Sequence, residues 1–467
     1  MRAALAICVL LSAASLALPS EPSFDPWAWI VWGREVLLLD LDTTGGPSWK
    51  PLPVLFTATF APFSVIDGGL PAALWLVVAR TGALLSLVLA FRVTRRLAGP
   101  GRWTGIAAGS VAAVALIFAP QWLRYAMHGN EVPMAVALML WGLERHLDDR
   151  RDHALVAVFL ACLLRPEVFP FLALYAAWLW RDEPRLRRLT VGLAVALPAL
   201  WIVPDWLGSG DPLGAGRKAS SEPPWSLAVK DRPWWAALQR TDRIAGLPLE
   251  LGTFAAAAFA VYRRDSRVLA LFGVAIAWVA LVVAMTQAGF SGSTRYFVPA
   301  LVIASMLTGL AVTWTVAAVA RRTTPAGGAA VAVVLALAAT PWTLDRVQTL
   351  DRQRTLSAEL IDLHRGLLEA VDRAGGPGKV LAAGPPSVNR AFQTRLAWEL
   401  RTPLIDVESA GGGNGLIFSV PESPLRGQLP PAAQRRLANE KTPPKRGLGD
   451  ASDRARTGDL RRDRPAL

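Results

Sequence analysis

Long apolar blocks alternate with short polar interruptions along most of the chain. Blocks of helix-forming length fall near residues 3–18, 71–91, 103–119, 133–147, 154–168, 168–181, 190–206, 249–262, 268–286, 297–319 and 328–342. A helix crosses a bilayer with about 20 mostly apolar residues, fewer where the membrane is thin. The pattern therefore predicts an all-α polytopic membrane protein with about 11 transmembrane helices. Leu52–Ile66 is also apolar, but it is short and holds Pro53 and Pro62. We expect it to lie along the outer interface, because one more crossing would move every downstream arginine cluster to the wrong side. Ala3–Leu18 has nearly the length of a signal-peptide core. Only Met1-Arg2 precedes it and no clear A-x-A site follows, so it is expected to stay as the first span.

Charge orients the spans. If Arg2 is cytoplasmic, the inner loops are Arg92–Arg102, Glu144–His153, Arg181–Leu189, Arg263–Arg267 and Arg321–Gly327, and with Arg2 they hold 17 arginines. The short outer loops hold five basic residues: Arg34, Lys50, Arg124, Arg165 and Arg295. The loop 207–248 adds six more, but long loops carry little weight in the positive-inside rule. The N-terminus is thus expected inside and the C-terminus outside.

Composition closes other routes. Apolar residues make up 53% and charged residues 18% of the 467, whereas a soluble protein carries about a quarter charged residues. A net charge of +13 would suit nucleic acid, but such binders gather basic charge on one soluble face. Here the arginines punctuate apolar blocks, so no nucleic-acid partner is expected. Cys8 and Cys162 both lie in apolar segments and offer neither a disulfide framework nor a zinc site. The ratio of 43 Arg to 6 Lys fits a high-GC bacterium.

The transmembrane domain is expected over 1–344. Its first extracytoplasmic loop with the juxtamembrane segment occupies 19–70 and carries Trp27, Trp29, Trp32 and Trp49, as at a headgroup layer. Beyond it, Asp345–Ala374 has helical periodicity and Val388–Leu400 predicts a second helix. Lys379–Ala383, Leu404–Val407 and 415–420 read as short strands. Together these predict a small α/β extracytoplasmic appendage over 345–425, followed by a disordered basic tail, 426–467.

Several polar residues sit where a membrane protein keeps few. Asp25, in Phe24-Asp25-Pro26-Trp27, can serve as a general base at the outer interface or cap a helix start. Lys50, framed by Trp49 and Pro51, can meet a lipid phosphate or anchor the chain by snorkelling. Asp40-Leu41-Asp42 has the form of a metal-binding D-x-D, a tripeptide common by chance. In Arg124-Tyr125-Ala126-Met127-His128-Gly129-Asn130-Glu131, Glu131 suits a helix first turn, and His128 could carry a proton, donate to a phosphate or serve structure. Ala154–Leu164 is too short to cross and runs into Arg165-Pro166-Glu167. Ionisable residues at that depth face a cavity or each other. Arg295 and Tyr296 follow the flexible Ser291-Gly292-Ser293; an Arg fork binds phosphate bidentately. All of these fall on the outer side of the expected topology.

The order of these elements resembles the GT-C superfamily of integral-membrane glycosyltransferases, which includes protein O-mannosyltransferases and aminoarabinose transferases. The likeness covers roughly residues 1–345. It is carried by Phe24-Asp25-Pro26-Trp27, Trp49-Lys50-Pro51-Leu52-Pro53, Gly129-Asn130-Glu131-Val132-Pro133, Leu164-Arg165-Pro166-Glu167 and Thr294-Arg295-Tyr296-Phe297. The resemblance implies a polyprenyl-phosphate sugar donor, inversion at the anomeric carbon and the first-loop acid, here Asp25, as general base. Lys50, Arg165 and Arg295 would then bind the leaving phosphate. Arg124, His128, Glu131, Glu167 and Tyr296 would line the substrate, and Leu52–Ile66 would help wall the isoprenoid tail. Many relatives carry two adjacent acids where Pro26 follows Asp25 here. That leaves a divalent metal open and Glu35 or Asp42 as alternative bases. No other cofactor is implied. The expected partners are the bilayer, the lipid-linked sugar and a glycan, lipid or protein acceptor, at a bacterial plasma membrane. The same cations would also serve a transporter or flippase of a lipid-linked saccharide, and a non-catalytic cell-envelope protein is the remaining alternative. Topology has a direct check: in a cysteine-free background, Asp67→Cys should react with an impermeant thiol reagent in intact cells, and Asp149→Cys only after lysis. The reverse pattern would refute the orientation.

Overall fold

The computed structural model describes residues 1–119, 121–221, 226–409 and 415–419. The expected tail 426–467 lies outside the described residues. Nearly everything described is helical. The N-terminal third holds α1 (Arg2–Ala14), α2 (Phe24–Leu38), α3 (Pro51–Phe60), α4 (Leu70–Leu97), α5 (Arg102–Ile117) and α6 (Trp122–Met127). Then come α7 (Val132–Leu147), α8 (Arg151–Cys162), α9 (Phe169–Asp182), α10 (Arg187–Ser209), α11 (Gly214–Ala219) and α12 (Pro233–Ala245). The chain continues as α13 (Leu247–Arg263), α14 (Ser266–Gln287), α15 (Thr294–Arg322), α16 (Pro325–Arg373), α17 (Pro377–Ala382) and α18 (Arg390–Leu400).

Each of the expected apolar blocks is helical. Among the described residues five helices are long and apolar enough to cross a membrane: α4, α10 with the turn before it, α14, α15 and α16. A sixth arises if α12 and α13, bent by 93° at Gly246, count as one broken span. This is a multi-pass membrane protein. The other blocks form helices of 12 to 17 residues.

The C-terminal region differs from expectation. The long helix α16 runs through residues 344 and 345 without a break. Lys379–Ala383 is largely helical, in α17, where Pro377 supplies a ready helix start. Leu404–Asp406 is a 3-10 turn. The strands that do form have two residues each: β1 (Ser387–Val388) pairs in parallel with β2 (Ile417–Phe418). Short apolar runs with β-branched residues do not distinguish a strand from a buried turn.

Small residues bring the central helices together. A Cβ on Gly309 of α15 would stand 2.3 Å from the Ala108 carbonyl oxygen of α5, and one on Gly82 of α4 would stand 2.6 Å from the Met134 Cα of α7. Lipid supplies no hydrophobic drive between helices, so such close backbone approaches are what hold a bundle. On the outer side, Thr57 of α3 donates its hydroxyl to the Trp29 carbonyl of α2 at 2.5 Å. The C-terminal segment then covers α2. Thr394 Oγ1 donates to the Phe24 carbonyl (3.0 Å), Trp398 Nε1 to the Gly68 carbonyl (3.1 Å), and Arg34 Nη2 to the Thr402 carbonyl (3.0 Å). Gly309→Val should force α15 and α5 apart, at about 1–3 kcal/mol for an overpacked site. A lower apparent Tm in detergent would show it, and an unchanged Tm would contradict the close contact.

Candidate functional site

Three turns and the starts of two helices converge on one charged cluster. Asp25 lies in the first turn of α2, behind the N-cap residue Ser23, so it is not itself the cap. The helix dipole favours a carboxylate there. Arg295, in the first turn of α15, donates from Nη1 to Asp25 Oδ2 at 2.7 Å. The neighbouring Tyr296 ring lies beneath two guanidinium groups, Arg165 at 4.7 Å and Arg295 at 5.7 Å from its centroid. Arg165 comes from the break between α8 and α9. It forks onto Glu167, Nε to Oε2 at 3.1 Å and Nη2 to Oε1 at 2.9 Å. Its remaining arm, Nη1, reaches Glu131 Oε1 at 3.1 Å. Lys50, just before α3, pairs with the same Glu131 oxygen and stands 5.4 Å from the centre of the Trp29 ring.

Burial divides this cluster. Glu131 is wholly inaccessible, and Lys50, Arg165 and Glu167 are buried, while Asp25 and Arg295 are half-buried. Lys50 is therefore no snorkelling anchor, and Arg165 is closed on its partners rather than pointing free. Burial pushes the Glu131 carboxyl up, but Lys50 and then Arg165 outweigh it and hold the group below the usual carboxylate range. Its contribution to stability is thus present above the ordinary carboxylate pKa and is lost only in strong acid. Lys50 is pushed down, by burial first, with Arg295 and Arg165 adding to the effect and Glu131 opposing it. Lys50, Arg165 and Arg295 face Asp25, Glu131 and Glu167 one for one. Glu131 Oε2 is buried without a hydrogen-bond partner among the described residues.

Two expected members stand apart. His128 is buried, with Nδ1 2.8 Å from the Glu21 carbonyl oxygen and Nε2 2.8 Å from Ser357 Oγ. A carbonyl only accepts, so Nδ1 carries the proton and Nε2 accepts from the serine hydroxyl. Burial pushes its pKa down to about 4, so it stays neutral. It joins the first loop to α16 and makes no contact with the cluster's cations, which is the structural one of the roles the sequence left open. Arg124 is half-buried on α6 and makes no ion pair among the described residues.

Other residues escaped the sequence reading. Arg80, inside α4, donates to the Ser15 and Met127 carbonyls, both at 3.1 Å, and to Ser20 Oγ at 2.7 Å, tying α1 to the loop before α7. Tyr125 is buried within electrostatic reach of Arg295 and Arg165. Glu21 accepts from Trp27 Nε1 at 2.9 Å and has His364 Nδ1 at 2.8 Å. No local motif marks any of these, because each depends on a partner distant in sequence.

An apolar groove of about 680 Å³ is lined by α12–α15, with Phe297, Ala300, Leu301 and Ala304 along its α15 wall. Ala300 and Ala304 continue the Tyr296 face of α15 one and two turns on. Leu52–Ile66, expected as a wall, instead packs beside α2 and α4, and the groove is lined from α12–α15. Among the described residues no three His, Cys, Asp or Glu side chains come together to hold a metal. Asp42, half of the D-x-D, accepts from the Thr44 amide at 2.7 Å.

No family model matches the chain, and no curated protein matches it in sequence. Solved structures do. ArnT from Cupriavidus metallidurans bound to undecaprenyl phosphate superposes with a TM-score of 0.50 at 16% identity, covering 91% of this chain and 94% of that one. The apo form of the same ArnT gives a TM-score of 0.48 at 16% identity, covering 92% and 89%. The first likeness shows that the chain has the ArnT fold along nearly its whole length. The GT-C resemblance drawn from the residues is upheld at the level of fold.

Removing the buried carboxylate tests how the cluster coheres. Glu131→Gln leaves Lys50 and Arg165 buried with one anion fewer, a change that costs about 3–5 kcal/mol when a buried pair is broken. A clear fall in apparent Tm is expected. A variant that melts with the unmodified protein would show that the two cations do not depend on Glu131.

Proposed function

We propose that this protein is a bacterial plasma-membrane glycosyltransferase, which moves a sugar from a polyprenyl-phosphate donor to an extracytoplasmic glycan, lipid or protein acceptor. In this reading the chain crosses the membrane eleven times, with the N-terminus cytoplasmic. Residues 345–425 form an extracytoplasmic appendage that closes over the first loop. One observation carries the proposal: a carboxylate, a cluster of three cations and an apolar groove follow one another from Asp25 through Tyr296 to Ala304. A protein of the same fold has been crystallised with undecaprenyl phosphate, which supports a donor of that class.

The chemistry follows from the arrangement. An acceptor hydroxyl attacks the sugar C1, and its proton passes to Asp25. Arg295 holds Oδ2 of that carboxylate, which leaves Oδ1 to take the proton. The bond from C1 to the phosphate oxygen breaks, and the electron pair leaves with the polyprenyl phosphate. Lys50, Arg165 and Arg295 stabilise the charge that develops there, as fixed cations in a water-poor site do. Of these three cations Lys50 is the one whose charged form is disfavoured, by burial first, so it gains from an incoming anion. Glu131 Oε2 remains to accept a sugar hydroxyl, and the Tyr296 ring spaces the two arginines. Attack opposite the leaving phosphate inverts the anomeric carbon.

Loss of the base separates chemistry from binding. Asp25→Asn should lower turnover of lipid-linked sugar by about 10²–10⁴, the usual contribution of a general base, in membranes of a complemented deletion strain. Undecaprenyl phosphate binding should stay within about twofold, since a base acts on the reaction rather than on donor affinity. Turnover at the unmodified rate would remove Asp25 from the mechanism.

A further inference from the structure

The first turn of α2 has no cap of its own. Ser23, at its N-cap, makes no side-chain bond to the helix; its amide donates instead to the His128 carbonyl at 3.1 Å. The start of the helix therefore depends on groups that reach it from elsewhere. On one side that group is Arg295, bound to Asp25. On the other it is Glu21, four residues earlier in the first loop.

Glu21 gathers donors from three helices on one oxygen, Oε1. Trp27 Nε1, from α2 itself, donates at 2.9 Å. His364 Nδ1, from α16, stands at 2.8 Å and Arg395 Nε, from α18, at 3.4 Å. Burial pushes the Glu21 carboxyl up, but His364, Arg395 and Trp27 outweigh it and hold the group below the usual carboxylate range. The junction therefore contributes above the ordinary carboxylate pKa and weakens in acid. Trp27 is also gripped on its ring: the Arg395 guanidinium lies 4.4 Å from its centroid and the Trp398 ring 6.1 Å away.

Residues 25 and 27 point about 200° apart around a helix. The Arg295 bond and the Glu21 bond thus grip nearly opposite faces of one turn, and together they fix its rotation about the helix axis. The C-terminal cover is fastened farther along by Arg34 and Trp398, so what the Glu21 junction adds is the setting of that turn. We infer that Glu21 is a positioning residue for the proposed transfer, tying the helix of Asp25 to α16 and α18 so that the C-terminal cover is a working part of the site. The inference rests on the glycosyltransferase reading with Asp25 as base.

The test uses the full chain and two small changes at the two ends of one bond, E21Q and W27F. In membranes of a complemented deletion strain, E21Q should lower kcat for the strain's own lipid-linked sugar by about 10–100-fold, the cost of a small misplacement of a reacting group. KM should stay within about twofold, and W27F should follow in the same direction. A residue that acts through Asp25 has nothing left to lose once Asp25 is gone, so E21Q/D25N should be no slower than D25N. A double variant slower than D25N by the full factor that E21Q costs alone would show a general structural loss and overturn the inference. Hydrogen exchange gives a readout that needs no reaction: the amides of 24–30 should exchange several-fold faster in both variants while those of α7 keep their rate. Unchanged exchange at 24–30 would also overturn it. If the unmodified protein turns over no lipid-linked sugar, the glycosyltransferase reading falls and the positioning role with it, while the exchange comparison still decides whether Glu21 fastens α2 to the cover.

Discussion

The outer half of the molecule is organised around one buried carboxylate. Glu131 receives Lys50 from the first loop and Arg165 from the broken turn between α8 and α9 on a single oxygen. Without it Lys50 would lose its ion-pair partner and Arg165 would keep only Glu167, and an unpaired buried charge costs several kcal/mol. The pairing therefore fixes where the first loop enters α3 and where α8 gives way to α9. Tyr296 then stacks on Arg165, which sets α15 and brings Arg295 to Asp25. Five segments far apart in sequence meet through these contacts. Removing Glu131 leaves Lys50 without its ion-pair partner and removing Arg165 leaves Glu167 without one, so these members depend on one another.

A second, neutral network secures the cover. His128, Glu21 and Ser357 link the loop before α7, the first loop and α16. Thr394 and Trp398 fasten α18 to α2 and to Gly68. The helix carrying Asp25 is thus held on one side by Arg295 and on the other by the C-terminal segment. In the proposed reaction Asp25 must keep its orientation, and two unrelated anchors on one short helix supply that.

Much of this architecture was legible in the chain. Apolar blocks of helical length predicted every long helix, because nothing but a helix satisfies its own backbone in lipid. The arginines between blocks predicted a consistent sidedness. Asp25, Lys50, Arg165 and Glu167 were conspicuous as charged residues beside Pro, and Glu131, Arg295 and Tyr296 as charged or aromatic residues at the edge of an apolar block. What stayed hidden was pairing. Nothing local tells that Arg165 divides between Glu167 and Glu131, or that His128 turns to Ser357 more than two hundred residues away. Of the strands expected after residue 378, 415–420 holds the two-residue β2, whereas Lys379–Ala383 is largely helical and Leu404–Asp406 is a turn; both of these pack against α18, and their local sequence does not announce it.

The charge balance of the cluster bears on how it could work. Lys50, Arg165 and Arg295 are already matched by Glu131, Glu167 and Asp25, so a bound phosphate adds negative charge to a neutral group. A surplus cation must then come from nearby, and Arg124, half-buried beside Tyr125, makes no ion pair among the described residues. In the proposed reaction the donor phosphate takes up that positive charge, and an acceptor that carries an anion of its own meets a weaker field. That favours ordered occupancy, with the lipid seated by its tail before the acceptor approaches.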